Sequence, residues 1–432
     1  MVELLANLID GKRVLILGYG KEGQSTYRFL KEVNSFSKLD IADINPPKNF
    51  DNSNLTVYSG EKYLDSIQLY DIVFKSPGIV LPKNYRDYNC IITSQTEIFL
   101  QAFNRQVIGV TGTKGKSTVS SLLFHVLSSK NIPCFLAGNI GTPMFDIAKD
   151  IKPETIIILE LSCHQLEICN ISPALSVLLN IYEDHLDHYD TFENYTNAKK
   201  NIYLHQRPLD VLYCGEMVTP EKRKNISRTI VINKDVLFFD SLESIGNIKL
   251  RGFHNLDNCA FVYSISKSFG ISDEEFIDSL RSYVPLNHRL ELIGNKNGVD
   301  YYDDSISTTV ESTISAIESI PNASTILLGG MDRGIDYTQL VEYLIKSQID
   351  NIILMYESGK RIYSMLSERL SDNVNPFIIY KKNLVDATEV AQEVSLPGTA
   401  CILSPASASY GDFKNFEERG NIFKKILFGT GV

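Results

Sequence analysis

The chain of 432 residues contains no tryptophan, no C-x-x-C pair and no apolar run near the roughly 20 residues of a membrane-spanning helix. Its seven cysteines are odd in number and scattered, which argues against a disulfide framework or a zinc site. The net charge of −10 argues against broad nucleic-acid binding, which needs a basic surface. Residues 1–18 carry acidic side chains before their apolar run, unlike a signal peptide, so we expect a cytoplasmic protein.

Apolar runs that suit strands alternate with stretches of helical periodicity along the whole chain. This order predicts an α/β fold with doubly wound, parallel sheets, and the length implies two or three domains. Three such series follow one another, with a boundary near Pro285 and Asn287. Strands are predicted at residues 13–18, 38–43, 70–76, 89–94, 155–162, 175–185, 324–330, 351–358 and 399–407, and one helix at 22–33.

The stretch GYGKEG, with Gly18, Gly20 and Gly23, joins the first predicted strand to the predicted helix. Glycines at this spacing let the backbone approach a pyrophosphate at the helix N-terminus. Asp43, twenty residues after the last glycine, is placed to bind a ribose. The pattern favours a nucleotide site without identifying the nucleotide, and a purely structural turn is the alternative.

The stretch GVTGTKGKST, residues 109–118, stands between an apolar run and a helical segment. The common phosphate-binding loop, G-x-x-x-x-G-K-[ST], would place its first glycine at Val110, so this loop is a shortened version. The N–H groups of residues 112–116 can still surround a phosphate at the helix start. We expect Lys116 to reach the β- and γ-phosphates and Ser117 to coordinate Mg²⁺, with a surface turn as the alternative.

Glu160 stands at the end of an apolar strand in LELSCHQLE. Ligands gather at the carboxyl ends of strands in α/β sheets, and a carboxylate there suits Mg²⁺. Cys163 and His164 follow in the same run. Adjacent residues of a strand point to opposite faces, so we do not expect a Cys–His nucleophile pair.

A second polar cluster follows another predicted strand within residues 180–203. It contains Glu183, Asp184, His185, Asp187 and His188. Its composition alone fits a solvated loop equally well, but its position at a strand end favours a metal or phosphate role.

Cations follow strands of the third series at Arg289, Arg333 and Lys414. Arginine binds carboxylates and phosphates bidentately. Each cation alone fits an ordinary surface charge, and only their joint placement favours recognition of such groups.

Taken together, these stretches resemble the Mur ligases, the ATP-dependent amide-forming enzymes of bacterial peptidoglycan synthesis. The resemblance covers essentially the whole chain, and the shortened phosphate loop is the family's own form. The last matching motif is the most specific for glutamate-adding members. In order, the motifs are GYGKEGQS, SPGI, TGTKGKST, GNIGTP, ELSCHQLE, EDHLDHY, NAKKNIY, GFHNLDN, HRLE, DSIST and LSPASASYGDFKNFEERG.

The resemblance implies three domains with separate tasks. A Rossmann-like domain of residues 1–100 would bind the UDP-sugar, and a P-loop ATPase-type domain of residues 101–285 would bind ATP. A Rossmann-like domain of residues 286–432 would bind the amino acid and nucleotide. The implied protein is a monomer.

The implied reaction adds glutamate to UDP-N-acetylmuramoyl-L-alanine through an acyl phosphate made with ATP. The resemblance implies a metal site of two Mg²⁺ ions formed by Ser117, Glu160, His185 and Lys199, in which Lys199 matches the family's carbamylated lysine. The implied catalytic residues are Lys116, Glu160, His185 and Lys199.

The resemblance also implies which residues of this chain contact the three substrates, at the positions that match the family's motifs. ATP is assigned to Gly112, Thr113, Lys114, Gly115, Lys116, Ser117, Thr118, His254, Asn258, Arg289 and Asp304. The UDP-sugar is assigned to Gly20, Lys21, Glu22, Asp43, Gly78 and Asn139. Glutamate is assigned to Thr308, Arg333, Ser409 and Phe416.

The sequence departs from the family at the amino-acid site. Enzymes that add D-glutamate commonly read D-S-K-A-T, but this chain has Ile306 in place of that lysine, and Arg333 in place of another. We expect D-glutamate by family frequency. A ligase adding L-glutamate to the same nucleotide, another amide ligase such as a folyl-polyglutamate synthase, and a non-catalytic nucleotide-binding protein are the alternatives.

Overall fold

A computed structural model describes residues 1–46, 55–220, 227–246, 248–370 and 376–429. Within these ranges the strands form three sheets, so the predicted α/β class is confirmed. The chain divides into two compact units, Met1–Phe238 with Asn258–Ser279, and Phe239–Asp257 with Leu280–Val432. The predicted domain boundaries stay a prediction. No helix in the described ranges is both long and apolar enough to cross a membrane.

The first sheet has five parallel strands in the order β3-β2-β1-β4-β5. The apolar run of β1 is buried at its last four positions, as expected for a central strand covered on both faces. The elements are α1 (Val2–Ile9), β1 (Arg13–Leu17), α2 (Lys21–Val33), β2 (Lys38–Ala42), β3 (Val57–Tyr58), β4 (Ile72–Lys75), β5 (Ile91–Thr93) and α3 (Gln95–Phe103).

The second, central sheet has six parallel strands in the order β11-β10-β9-β6-β8-β7. Its elements are β6 (Val107–Thr111), α4 (Lys116–Ser129), β7 (Cys134–Gly138), α5 (Met144–Ile147), β8 (Ile156–Glu160), α6 (Cys163–Leu166), β9 (Leu175–Leu178), α7 (Leu186–Tyr189), α8 (Phe192–Leu204), β10 (Val211–Gly215) and β11 (Arg228–Ile232). The helices α9 (His254–Ser268) and α10 (Asp273–Ser282) follow.

The third sheet has six strands in the order β12-β13-β17-β14-β15-β16, and β12 runs antiparallel to β13 at one edge. Alternate residues of its inner strands enter two cores, such as Ile326 on one face and Leu327 on the other. The elements are β12 (Glu291–Lys296), β13 (Val299–Asp303), α11 (Val310–Glu318), β14 (Ala323–Leu328), α12 (Thr338–Lys346), β15 (Asn351–Met355), α13 (Tyr356–Ser367), β16 (Phe377–Lys381), α14 (Leu384–Val394), β17 (Ala400–Leu403) and α15 (Phe416–Phe428).

The strand predictions hold in position but run too long at several carboxyl ends. The strand predicted at 175–185 ends at Leu178, and the one predicted at 351–358 ends at Met355 because α13 begins at the next residue. The β12–β13 hairpin was not predicted. It turns at Gly298, which has a φ of 82° that favours glycine.

Candidate active site

The phosphate-binding loop lies between β6 and α4, at the carboxyl edge of the central sheet. Strand β6 stands between β8 and β9, so the loop occupies the point where the order of strands reverses, the usual ligand position in such sheets. Gly115 has a φ of 84°, and a Cβ there would lie 2.4 Å from Asn258 Oδ1. Both the backbone conformation and the available space therefore favour glycine at position 115.

The loop is held in place from the end of β9. The Thr113 N–H donates to the Asn180 carbonyl at 2.9 Å, and the Lys114 N–H donates to Asn180 Oδ1 at 2.8 Å. Thr113 Oγ1 lies 2.9 Å from the Tyr195 hydroxyl. Asn180 and Tyr195 were missed as site residues, and the one local signal for Asn180 was its place after a buried strand.

Two lysine side chains meet at the Gly112 carbonyl. Lys116 Nζ donates to it at 3.0 Å and Lys199 Nζ at 2.9 Å. Lys199 is buried on α8, and its pKa is lowered to about 7, first by burial and then by the charge of Lys116. Near pH 7 a large fraction of this amine is therefore neutral, which is the form that reacts with CO₂.

Glu160 ends β8 and is 1% exposed. Its Oε1 accepts a hydrogen bond from Asn139 Nδ2 at 2.7 Å, while its buried Oε2 has no hydrogen-bond partner among the described residues. A buried carboxylate oxygen without a partner is costly, and a hard cation satisfies it. Glu160 therefore fits a Mg²⁺ ligand. The assignment of Asn139 to the UDP-sugar stays a prediction.

His185 lies in a cluster with His164, Cys163 and His188. The His164 ring centroid lies 4.8 Å from that of His185 and 4.3 Å from that of His188. Burial, followed by the two neighbouring histidines, lowers the pKa of His164 to about 3. The His185 ring is also 6.2 Å from Tyr195, whose hydroxyl contacts the phosphate loop.

Cys163 and His164 do not lie on a strand, contrary to our expectation. Strand β8 ends at Glu160, and the two residues open helix α6, which Ser162 caps with Gln165 in a capping box. Cys163 Sγ consequently lies 3.5 Å from His164 Nδ1. Strand alternation does not apply to these positions.

The GYGKEG turn follows β1 in the first sheet, as its spacing predicted. A Cβ on Gly23 would lie 2.0 Å from the Gly18 carbonyl oxygen, so glycine allows α2 to start close to the strand. The carboxylate of Asp43 accepts hydrogen bonds from the N–H of Tyr19 at 2.7 Å and of Asn45 at 2.8 Å. Asp43 therefore fixes this turn, and its ribose contact stays a prediction.

The other residues assigned to the UDP-sugar differ in burial. Gly20, Lys21 and Gly78 are exposed. The Glu22 carboxyl accepts a hydrogen bond from Gln165 of α6 at 3.2 Å, and burial raises its pKa to about 7. Glu22 therefore connects the first sheet to the central one.

Asp304 and Arg289 belong to the unit of the third sheet. Asp304 is buried after β13 and accepts hydrogen bonds from Ser404 Oγ at 2.7 Å and the Leu290 N–H at 3.1 Å. Burial is the main cause that raises its pKa to about 6. The buried Arg289 Nε has no hydrogen-bond partner in the described ranges, so it retains a free donor.

Three of the residues assigned to glutamate, Thr308, Arg333 and Ser409, lie in loops at the carboxyl edge of the third sheet, and the fourth, Phe416, is the first residue of α15. The loops after β14 and β17 meet where the Met331 N–H donates to the Ala408 carbonyl at 2.9 Å. Ser305 Oγ donates to the Phe416 carbonyl at 2.8 Å. Arg419, fully buried, donates to the Ser305 carbonyl at 2.7 Å and so joins these loops.

The structure thus groups the assigned residues by compact unit. The phosphate loop, Glu160, His185, Lys199 and Asn258 belong to the unit of the first two sheets. His254, Arg289, Asp304 and the four residues assigned to glutamate belong to the unit of the third sheet.

Known proteins are similar to this chain. The Mur ligase middle domain model matches residues 110–229. UDP-N-acetylmuramoylalanine--D-glutamate ligase of Clostridium kluyveri is 31% identical over 97% of each chain. The ligase of the same name from Staphylococcus saprophyticus is 30% identical over 96% of this chain and 97% of its own.

Solved structures share the fold. The MurF ligase of Thermotoga maritima, in complex with ADP, has a TM-score of 0.60 at 18% identity, covering 98% of this chain and 96% of its own. The MurC ligase of the same organism has a TM-score of 0.58 at 16% identity, covering 95% and 98%. Because the curated relatives match over nearly their full length, the chain belongs to the Mur ligase family of ATP-dependent ligases.

Proposed function

We propose that this chain joins glutamate, with D-glutamate favoured, to UDP-N-acetylmuramoyl-L-alanine at the expense of ATP. One observation carries the proposal: the carboxyl edge of the central sheet holds the glycine loop, Lys116 and Lys199, and the buried Glu160, whose Oε2 has no hydrogen-bond partner in the described ranges. The names of the two curated relatives specify D-glutamate as their substrate.

The reaction requires activation because a carboxylate lacks a good leaving group. An oxygen of the L-alanine carboxylate would attack the γ-phosphorus of ATP, so that ADP leaves and an acyl phosphate forms. The glutamate amine would then attack the acyl carbon, lose a proton, and expel inorganic phosphate. The protein's contribution to both steps is positioning and neutralisation of charge.

The phosphate loop supplies the first part of that contribution. Its N–H groups, at the start of α4, would bind the phosphates together with Thr113, Lys114 and Thr118. Lys116 Nζ now donates to the Gly112 and Thr113 carbonyls, and the same flexible side chain would donate to the γ-phosphate instead.

Ser117, Glu160 and His185 would hold two Mg²⁺ ions. When bound, Mg²⁺ would neutralise charge on the phosphate oxygens. Glu160 offers its free Oε2 for this purpose. Lys199, with a pKa near 7, would carry a carbamate, which replaces a buried positive charge by an anion that a metal site tolerates.

The loops of the third sheet would bind glutamate and the nucleotide. Arg333 would donate to a glutamate carboxylate, with Thr308, Ser409 and Phe416 completing the contacts. Arg289 and Asp304, with His254 and Asn258 from α9, would contact the nucleotide. Ile306 removes one cation expected in enzymes that add D-glutamate, and this observation supports L-glutamate as the second candidate substrate.

The first sheet would bind the UDP-sugar through the GYGKEG turn, Asp43 and Gly78, with Asn139 near the muramoyl part. A three-domain division at residues 100 and 285, a monomeric state and a cytoplasmic location belong to the same proposal.

One assay with the purified protein tests the amino-acid choice. ADP formation is measured with ATP, Mg²⁺ and UDP-N-acetylmuramoyl-L-alanine, and with either D- or L-glutamate. The proposal expects a higher kcat/KM for D-glutamate, and a higher value for L-glutamate would establish the second candidate. Replacing the UDP-sugar by a folate in the same assay tests the folyl-polyglutamate synthase alternative.

A further inference from the structure

The cluster of Cys163, His164 and His185 has a chemistry that the proposed reaction does not use. Thiolate sulfur and imidazole nitrogen are ligands of Zn²⁺ and similar borderline-soft cations, whereas Mg²⁺ prefers oxygen. The proposed ligase reaction draws only on His185. Cys163 and His164 therefore need a separate explanation.

The geometry of the cluster suits a small divalent cation. One ligand atom from each of the three residues lies within 4.8 Å of the others. Zn–S and Zn–N bonds in tetrahedral geometry place sulfur and nitrogen about 3.5 Å apart. The distance from Cys163 Sγ to His164 Nδ1 is 3.5 Å, so this pair already has the required spacing.

The third ligand, His185, lies at the surface, where its ring can change orientation. His185 is exposed, so its ring can reorient towards the pair more readily than a core side chain. Asp184 Oδ2 lies 3.6 Å from His185 Nε2 and is a candidate for an anionic fourth ligand. Cys163 and His164 open α6, whereas Asp184 and His185 directly precede α7. The fold, and not a short spacing in the sequence, brings these two segments together.

A second cluster with ligand-like residues does not share these properties. His288, Glu291 and Asp303 also lie within reach of one ion, but Lys424 Nζ lies 2.7 Å from Glu291 and 3.8 Å from Asp303. A protein cation therefore already neutralises that cluster.

We propose that Cys163, His164 and His185 form a site for Zn²⁺ or a similar borderline-soft divalent cation, distinct in ligand chemistry from the Mg²⁺ sites. Binding would displace the thiol proton of Cys163 to solvent and form a metal–sulfur bond. The remaining position would be filled by Asp184 or water. The competing explanation is that Cys163 serves only as a small core residue beside Tyr189 and Tyr195.

One consequence rests on the proposed function. If His185 also serves a Mg²⁺ ion during turnover, Zn²⁺ that captures His185 would inhibit the ligase even in excess Mg²⁺. Each variant's rate with Zn²⁺ would be compared with its own zinc-free rate. Inhibition in the wild type and its loss in Cys163→Ser is the expected result.

The direct test measures binding of the metal alone, in the full-length chain, without ATP or substrates. Zn²⁺ is titrated by calorimetry, and Co²⁺ serves as a spectroscopic probe because a cobalt–thiolate bond gives a near-ultraviolet charge-transfer band. We expect one equivalent per chain and a thiolate band. Cys163→Ser should abolish the band, and His185→Ala should weaken binding by about 100-fold, since even loss of a residue that only orients a ligand costs about 10–100-fold.

Cys169→Ser is the matched control. Cys169 is equally buried six residues along the chain, but its Sγ donates to the Gln165 carbonyl at 3.1 Å, outside the cluster. This variant should bind as the wild type does. If Cys163→Ser fails to fold, His185→Ala still decides the question because His185 is exposed. Absence of the thiolate band in the wild type, or equal affinity in wild type and His185→Ala, would overturn the proposal of a zinc site. Neither result would contradict the proposed ligase activity, which the separate ligase assay tests.

Discussion

The residues assigned to phosphate chemistry at the central sheet differ in burial from two of the residues assigned to glutamate at the third sheet. At the central sheet, the ionisable residues Glu160 and Lys199 are buried. At the third sheet, Asp304 is also buried, but Thr308 and Arg333 are exposed. Buried charges are fixed by their surroundings, so we assign the chemistry to the central edge and the choice of amino acid to the third-sheet loops.

This contrast accounts for where the chain departs from its family. A change at a buried charge leaves other groups without partners, which is costly. A change at an exposed or half-buried loop position, such as Ile306, is tolerated by the fold. The comparison therefore predicts that kcat depends on the central edge and the KM for glutamate on the third-sheet loops.

The largest effect is expected from Lys199→Ala. Removing a group that organises charge at a reacting phosphate should lower kcat by about 100- to 1,000-fold. A steady-state assay would measure it, and bicarbonate with a short carboxylic acid should restore part of the rate. Lys200→Ala, at the adjacent helical position, should keep normal turnover. Full activity of Lys199→Ala would instead support the non-catalytic alternative.

Glu160→Gln should come next. The substitution keeps the acceptor for Asn139 but removes the charge that the free Oε2 offers to Mg²⁺. We expect the Mg²⁺ concentration for half-maximal activity to rise by more than about 10-fold, judged by the cost of losing groups around metal ligands. A magnesium titration measures this, with the exposed Glu154→Gln as control. An unchanged magnesium requirement would remove Glu160 from the metal site.

Arg333→Ala should raise the KM for glutamate without a comparable change in kcat. A hydrogen bond to a charged group contributes about 1.5–3 kcal/mol, which corresponds to about 10- to 150-fold in KM. The KM for ATP should stay the same. Lys346→Ala, at the end of α12, is the control for loss of a positive charge. A fall in kcat with unchanged KM would contradict the division between the two edges.

The smallest expected effect is on the stability of the fold. The contributions of Lys199 and Asp304 to the free energy of unfolding should change with pH in opposite directions. The folded pKa of Lys199 is lowered to about 7, so its burial penalty is full at pH 7 and is relieved as pH rises towards 10. The folded pKa of Asp304 is raised to about 6, so its penalty appears as pH rises through 4 to 6.

Thermal unfolding in CO₂-free buffer measures both slopes. The stability gain of Lys199→Met over wild type should shrink from pH 7 to pH 9, and that of Asp304→Asn should grow from pH 4 to pH 6. Each slope is at most about 1.4 kcal/mol per pH unit. Equal slopes in each variant and the wild type would show that these groups titrate normally in the folded state.

Local sequence patterns predicted the parts of the molecule that depend on neighbouring residues. The strand–loop–helix order around Gly115 and Lys116 follows from an apolar run, glycines and helical periodicity. The place of Glu160 at a strand end follows in the same way. The predicted strands began within two residues of the observed ones, whereas several ran too long at their carboxyl ends.

Contacts between distant residues were not predictable from one sequence. Asn180 holds a loop 66 residues earlier in the chain, and no local pattern encodes that pairing. The strand predicted at 155–162 runs two residues past the observed end of β8, because the apolar run continues to Leu161, although Ser162 and Gln165 form a helix-starting capping box. That error concealed the cluster of Cys163, His164 and His185.

The central claim is that the grouped residues form one ligase that uses three substrates. The most direct measurement is phosphate release by the purified protein with ATP, Mg²⁺, UDP-N-acetylmuramoyl-L-alanine and glutamate, followed by omission of each component in turn. We predict that release falls to background when any one is omitted. Release that continues at the same rate without the UDP-sugar would contradict the account.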